Sequence, residues 1–530
     1  MVWNILETLL VLGKYVLLAF VLRCLLVYSF RLTLHPLAKY PGPFFANLTD
    51  WYITTLALRK EVHLTTYQHH AKYGPVVRFG PNKLVFNSSR ALHDIYLSDR
   101  TNKVRSYLCT QIKADTFSIF NCIDKRLHKI KRRMISKALS GQKMRRFEPI
   151  MTDHIDIFLR QILAASKASQ PVDLSDRCKR LGLDIIGQFG FGCSLHLQTE
   201  KTNNFILRGM GGSSYRMNIY IQAPMAKWMG VEAVLLPVLY SSLMQYYLLL
   251  RKLVKDRLAE GKDAKEDLFS YVVDAKDPET GTEIRLGELW SEATFFFPAG
   301  GDTTASTITA VFFYLSRYPR CYERLIAEVR GAFSSGKDIR TGSALSSCVY
   351  LRAVIDETMR ITPPVAGTMW RELPVSDEGS SEPLVIDGHV VPAGTWVGVN
   401  TYSIHHNEEY FPEPFVFKPE RWLAEDNAPQ ENERKAMQEA FLPFGVGSRA
   451  CVGKAMAYME ASLVLAKSLW YFDFQRPNDA KLDAIGGGVS GDRNGRGHLD
   501  EYQIKDQFVA SHEGPYLVFR PRDEVAVDLD

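Results

Sequence analysis

Phe444-Gly445-Val446-Gly447-Ser448-Arg449-Ala450-Cys451-Val452-Gly453 delivers a cysteine from a glycine-rich loop to the start of a strongly helical run, residues 454–470. The amide N–H groups and the positive end of the helix that opens there favour a thiolate over a thiol. Glycines such as Gly445, Gly447 and Gly453 let a flat ligand approach the backbone, and the Arg449 guanidinium can meet a carboxylate bidentately. A lone cysteine is ordinarily a small buried apolar residue. What lifts Cys451 above that default is its company: Phe444, Gly447, Arg449 and Gly453 complete the pattern FxxGxRxCxG around it.

Three shorter patterns lie upstream. Glu357-Thr358-Met359-Arg360 places opposite charges at i and i+3 on one helix face, an arrangement that taken alone contributes roughly a few tenths of a kcal/mol. Phe417-Lys418-Pro419-Glu420-Arg421-Trp422 follows it. Ala299-Gly300-Gly301-Asp302-Thr303-Thr304 interrupts a long apolar run that begins near residue 286. Two glycines and two threonines weaken helix propensity there, as where a ligand widens a helix, and Pro298 predicts a kink. Thr303 offers a hydroxyl to a ligand, while the Asp302 carboxylate can pass protons through water. The alternative is a deformable packing site with a solvated Asp302.

The 530 residues are 46 % hydrophobic and 23 % charged, which excludes disordered and fibrous classes. A net charge of +5 is too small for a nucleic-acid binder. Eight cysteines without a CxxC pair make neither a disulfide framework nor a zinc module and suggest a reducing compartment. The basic charge is concentrated: residues 125–146 hold ten Lys/Arg and no Asp/Glu, leaving the remainder net acidic. Such a patch can steer an acidic partner; a solvated helix face or an anionic-lipid contact are its alternatives.

At the amino terminus, eighteen of the 23 residues 8–30 are apolar or aromatic, and as a helix they span about 35 Å, enough for a hydrocarbon core. Lys14 and Arg23 lie near the two ends, where long side chains can snorkel. Glu7 and the lack of a small-x-small cleavage site argue against a signal peptide. Arg31, His35 and Lys39 place the rest of the chain on the cytoplasmic side by the positive-inside rule. Residues 1–33 are thus expected to be a transmembrane anchor, 34–43 (LHPLAKYPGP) a proline-rich hinge acting as a stiff, extended spacer, and 44–530 one large body.

Helical periodicity predicts helices over about 145–168, 175–190, 235–260, 285–318, 319–334, 346–361 and 453–470. Brief strand signals appear at Val76-Val77-Arg78-Phe79, Leu84-Val85-Phe86, 383–386, 396–399 and 516–520. The expected class is mainly α with a minor β-sheet (α+β). Residues 486–491 fit GxGxxG, but no strand runs into them and no helix follows, so 484–500 is taken as a loop insertion. The pairs His69-His70 and His405-His406 lack metal-site spacing and are expected to be ordinary surface or core histidines.

Together the cysteine loop, the ExxR pattern, the PERW segment and the AGGDTT segment resemble, in chain order, the cytochrome P-450 superfamily of haem-thiolate monooxygenases. The resemblance covers nearly the whole chain, and HPLAKYPGP and PPVAGTMWRELP look like microsomal enzymes of filamentous fungi, many of which serve secondary metabolism. It implies the family fold and a haem b (iron protoporphyrin IX) whose axial iron ligand is Cys451. Arg449, Arg371 and the pair His128 and Arg132, matching WxxxR with His for Trp, would hold the propionates. Phe444, Gly445, Gly447 and Gly453 would shape the haem loop. Asp302 and Thr303 would be the catalytic acid–alcohol pair, and Glu357, Arg360 and Arg421 a structural lock. One atom of O2 would enter a hydrophobic small molecule, with electrons from an NADPH-cytochrome reductase and cytochrome b5 as a second donor. The location implied is the endoplasmic reticulum membrane, single-pass, with the body on the cytoplasmic face. Family position assigns the substrate pocket to 104–122, the 206–222 turn region, 295–303, 365–368 and 507–512, with at most two of Phe295, Phe296 and Phe297 lining it. Two other functions share these motifs: a haem-thiolate isomerase or dehydratase without net oxygen insertion, and a catalytically silent membrane-bound haem or ligand carrier. The Asp302-Thr303 pair favours oxygen insertion over both.

Overall fold

The computed structural model describes residues 2–261, 264–265, 267–272, 286–374, 383–423, 431–522 and 529. Helix α1 spans Val2–Thr33, and within it Ile5–Thr33 has no buried residue and is long and apolar enough to cross a membrane. Residues 34–39, expected to be extended, are instead a run of turns. Leu37 and Tyr40 are buried there because the segment packs on the sheet, and the Arg78 N–H donates to Pro41 O at 2.8 Å.

The body is mainly helical, as the periodicity predicts. Its principal helices are α2 (Lys125–Ala138), α3 (Gly141–Lys167), α4 (Leu174–Phe191), α5 (Phe205–Gln222), α6 (Val231–Ala259), α7 (Leu286–Phe296), α8 (Thr303–Arg317), α9 (Val349–Ile361) and α10 (Lys454–Tyr471). The expected start of the long apolar helix, 285, lies outside the described residues. The region 206–222, expected to be a turn region, is the helix α5. Its glycines lower helix propensity, yet they permit a close crossing with α6: a Cβ at Gly209 would lie 2.4 Å from the Tyr246 Cβ. Tertiary packing overrides local preference.

A five-stranded sheet carries the strands in the order Val76–Gly80, Lys83–Phe86, Trp396–Val399, Arg371–Glu372, Asn102–Lys103. The third and second of these run parallel and the other pairs antiparallel. This sheet places Arg371 and Lys103 in register as direct neighbours. The main core forms where α3, α4, α8, α9 and α10 meet, with Phe158, Leu181, Phe312, Val354 and Leu463 buried. Residues 485–500 form a loop followed by no helix, as expected of an insertion; His498 stacks on Phe415 at 3.9 Å and ties it to the body.

Beneath the core lies a buried polar clamp. The Glu357 carboxylate accepts from Arg360 Nε and Nη2, Arg421 Nε, Trp422 Nε1 and the Lys418 N–H, all at 2.9–3.0 Å. Arg360 is fully buried and also donates from Nη1 to His405 O and Pro414 O. Burial alone would push the Glu357 carboxyl up, but Arg360 and Arg421 hold it below the usual carboxylate value. His405 extends the clamp: its Nδ1–H donates to Arg360 O at 3.0 Å, and its Nε2 accepts the Leu442 N–H at 2.8 Å. His70, His405 and His406 are buried core histidines, and among the described residues no cluster of His, Cys, Asp and Glu could hold a metal ion.

Candidate active site

Between α7–α8 on one side and the 444–453 loop on the other lies a cavity of about 310 Å³. Cys451 presents its side chain to this space, and its own N–H donates to Phe444 O at 2.8 Å, closing the loop. Burial raises the Cys451 thiol above its ordinary value; the N–H groups of Gly453 and Lys454 and the charge of Arg132 act against that rise. The sulfur therefore sits where a cation facing it completes its charge balance.

The loop glycines divide by role. Gly445 and Gly453 line the cavity, and a Cβ at either would meet nothing closer than 3.8 Å. Gly447 does not line it. Its φ is +74°, and a Cβ there would lie 2.2 Å from Tyr96 O, so glycine is required by backbone contact rather than by a ligand. Phe444 lines the cavity and packs on Tyr458.

The same cavity is lined by Lys103, His128, Arg132, Arg371 and Arg449. Four of them donate to backbone carbonyls, Arg132 to Ala450 O, Arg371 to Met369 O and Trp370 O, Arg449 to Cys122 O and Ile123 O, and Lys103 to Phe120 O, and Arg449 also reaches Asn102 Oδ1 at 3.4 Å. Among the described residues none of the five pairs with a carboxylate. Burial, reinforced by Arg371 and Arg449, holds the Lys103 ammonium well below its ordinary value. Burial and the surrounding cations push His128 down to about 3, so its imidazole is neutral at pH 7. Burial takes Arg449 down to about 10. Four cationic side chains and a neutral imidazole without an anion are costly unless a ligand supplies negative charge. A planar dianion with two carboxylates fits that need, and the Cys451 thiol lining the same cavity fits a metal carried by the same ligand.

The roof belongs to the long helix. Residues 297–302 form a π-helix between α7 and α8, which is how the chain accommodates Pro298 in place of the expected kink. Backbone contact with α4 holds the widened segment: a Cβ at Gly182 would lie 2.3 Å from Gly301 O, and one at Gly300 would lie 2.5 Å from the Ile186 Cδ1. Thr303 lines the cavity, and its Oγ1 donates to Ala299 O at 2.7 Å. Asp302 does not line it. The carboxylate turns toward α4, 4.0 Å from Lys179 Nζ, and burial raises its pKa against the pull of that lysine. Neighbours on a helix point about 100° apart, so the two halves of the pair face different spaces.

Phe295 and Phe296 line the cavity, whereas Phe297 stacks on Phe191 in the core. Phe120 lies between Phe295 (4.8 Å, stacked) and Phe508 (4.9 Å, edge-on), giving the chamber an aromatic wall. Among the lining residues that sequence reasoning missed are a lysine and a glutamate. Lys103 lies on a two-residue strand, with no periodicity to mark it. Glu460 is buried, its Oε1 has no hydrogen-bond partner, and burial pushes it to about 8. Its signal was available: Gly453, Met456, Ala457 and Glu460 recur at i, i+3, i+4, i+7 on one face of α10.

Comparison with known proteins agrees with this arrangement. The cytochrome P-450 family model matches residues 36–490. The cytochrome P-450 monooxygenase AKT7 of Alternaria alternata is 34 % identical over 93 % of this chain and 94 % of its own length. The monooxygenase apf7 of Gibberella fujikuroi is 33 % identical over 94 % and 96 %, and atnE of Emericella nidulans 33 % identical over 96 % of each chain. With a cysteine and a cluster of basic side chains lining one cavity, and this likeness running through nearly its full length, the chain belongs to the cytochrome P-450 family of haem-thiolate monooxygenases.

Proposed function

We propose that the protein inserts one oxygen atom from O2 into a bulky, hydrophobic small molecule in a fungal secondary-metabolite pathway, using haem b. The observation that carries this is the cavity itself, lined together by a thiol, a group of basic side chains and a hydroxyl on a widened helix. Cys451 would hold the iron as a thiolate, and Arg132, Arg371, Arg449, Lys103 and the neutral His128 would hold the propionates. When bound, the haem supplies the redox centre, and a thiolate ligand favours cleavage of the O–O bond.

The chain's own residues supply the rest. The apolar wall of Phe120, Phe295 and Phe508 binds substrate and excludes water. Thr303 Oγ, whose proton goes to Ala299 O, offers its lone pairs to the chamber from a helix already widened to receive a ligand. Asp302, on the far side of that helix, holds protons for delivery through water. Glu357, Arg360 and Arg421 hold the frame under the loop. Residues 1–33 anchor the chain in the endoplasmic reticulum membrane, 34–43 are the hinge, and the catalytic domain 44–530 faces the cytoplasm. The basic face of α2 receives an NADPH-cytochrome reductase, with cytochrome b5 as a second donor.

The carbon monoxide difference spectrum of the reduced protein tests the thiolate: a band at the imidazole-ligated position contradicts it. Product analysis under isotopic oxygen tests insertion, since a rearrangement or dehydration yields product without the label. Thr303→Ala is expected to lower product formed per O2 consumed severalfold with little change in oxygen uptake.

A further inference from the structure

Four polar groups converge on the seam between α4 and α8, and three of them carry an atom without a partner. α8 runs antiparallel to α4: Gly301 meets Gly182, Asp302 meets Lys179, and Thr309 Oγ1 reaches Leu174 O at 3.4 Å. Ser306, one turn beyond Asp302 on the same face, falls between the last two contacts. Its Oγ is fully buried and unpartnered. Asp302 Oδ1 makes no hydrogen bond, for Lys179 Nζ stands 4.0 Å away. The fourth group is His512, 5 % exposed, with Nε2 unpartnered.

The tautomer of His512 follows from its neighbours. Its Nδ1 contacts Ser175 Oγ at 3.0 Å and Tyr502 Oη at 2.8 Å. Both hydroxyls donate elsewhere, Ser175 to His512 O and Tyr502 to Gly514 O. Nδ1 therefore carries the proton and donates, and Nε2 keeps a lone pair. The charge of Lys179 acts on Asp302, on His512 and on the largely exposed Glu513 alike, so this one ammonium links the seam to the surface.

We propose that Asp302, Lys179, Ser306 and His512 bind ordered water in the α4–α8 seam, and that His512 and Ser306 are positioning residues for proton delivery through Asp302. The hydrogen-bond count closes. One water donates to Asp302 Oδ1 and His512 Nε2 and accepts from Lys179 and from the Ser306 hydroxyl, within the two to four partners a buried water requires. The route runs from solvent at Glu513 and Lys179, through that water, to Asp302, which hands protons across the helix toward Thr303. This rests on the assignment of Asp302 to proton delivery and extends it to the groups behind it.

The test uses the haem-loaded full chain with a reductase and measures NADPH-driven dioxygen consumption, without added substrate, in H2O and in D2O. Asp302→Asn is expected to slow it at least about a hundredfold, the scale of a lost proton-transfer group. Ser306→Ala and His512→Gln are expected to slow it about tenfold and to enlarge the isotope effect, a response that a packing role does not produce. Wild-type rates and isotope effects in both, beside a slow Asp302→Asn, overturn this inference and leave the assignment of Asp302 standing. A fast Asp302→Asn overturns that assignment, and the inference with it. Because His512 also anchors Ser175 and Tyr502, Ser306→Ala carries the test if His512→Gln fails to fold. Its Tm gives an independent reading: an unchanged or lower Tm supports a hydrated seam, whereas a raised Tm means a dry hydroxyl was removed and overturns it. A crystal structure with water at hydrogen-bond distance from Asp302 Oδ1 and His512 Nε2 supports the proposal, and a dry seam sinks it.

Discussion

Two of the buried charge clusters among the described residues are built on opposite principles. Around Glu357 the positive and negative groups answer each other: one carboxylate takes five donors, and Arg360 spends its remaining N–H groups on carbonyls. Around Arg449 the cations gather without a carboxylate, and burial works against each of Lys103, His128 and Arg449. A matched cluster is complete within the chain and stabilises its frame. An unmatched one is complete only with a ligand, which is why its charge faces a cavity.

Substitutions should separate the two, and the largest effect belongs to the matched cluster. Glu357→Gln leaves two buried arginines without a countercharge and is expected to cost about 3–5 kcal/mol, read as a lower Tm with or without haem. Lys103→Met should act with the opposite sign: removing a buried, unmatched cation stabilises the haem-free chain by about 1–4 kcal/mol while speeding haem loss. If both properties fall together, the cations are scaffold and the contrast fails.

A further effect is absent at neutral pH and grows with acid. Burial pushes His405 down to about 3, so it stays neutral in the folded chain, whereas an unfolded histidine takes a proton below about 6.5. Its contribution is fully present above that ordinary value and is lost as pH falls toward 3, by about 1.4 kcal/mol per unit. His405→Gln is expected to flatten the acid limb of Tm against pH. The smallest effect is at the rim. Arg90 pairs with Asp387 at 3.8 Å and is 74 % exposed, so Arg90→Ala should change stability by less than about 0.5 kcal/mol.

Legibility followed the length of the pattern. Helices such as α3, α4 and α10, with many periodic positions, were readable to within a few residues, and the Cys451 loop stood out because five positions had to agree. α5 was not, since Gly209, Gly211 and Gly212 break propensity, and the compensating contact with Tyr246 is long-range. Asp302 and Thr303 were recognisable as a pair, but their facing separate spaces depends on the π segment, which the sequence announced only as a weakened helix. Lys103 and His512 gave no signal, because each owes its environment to partners far along the chain.

The backbone contact between Gly182 and Gly301 limits how the chamber can be retooled. Main chain meets main chain there, and any residue larger than glycine at Gly182 would force the helices apart and shift Thr303 with them. Room for a wider substrate has to be opened at Phe120, Phe295 or Phe508, where a ring can be exchanged while the helical backbone stays still. Variation in what this enzyme accepts is therefore expected to accumulate along the aromatic wall, and the helix crossing opposite it to stay constant.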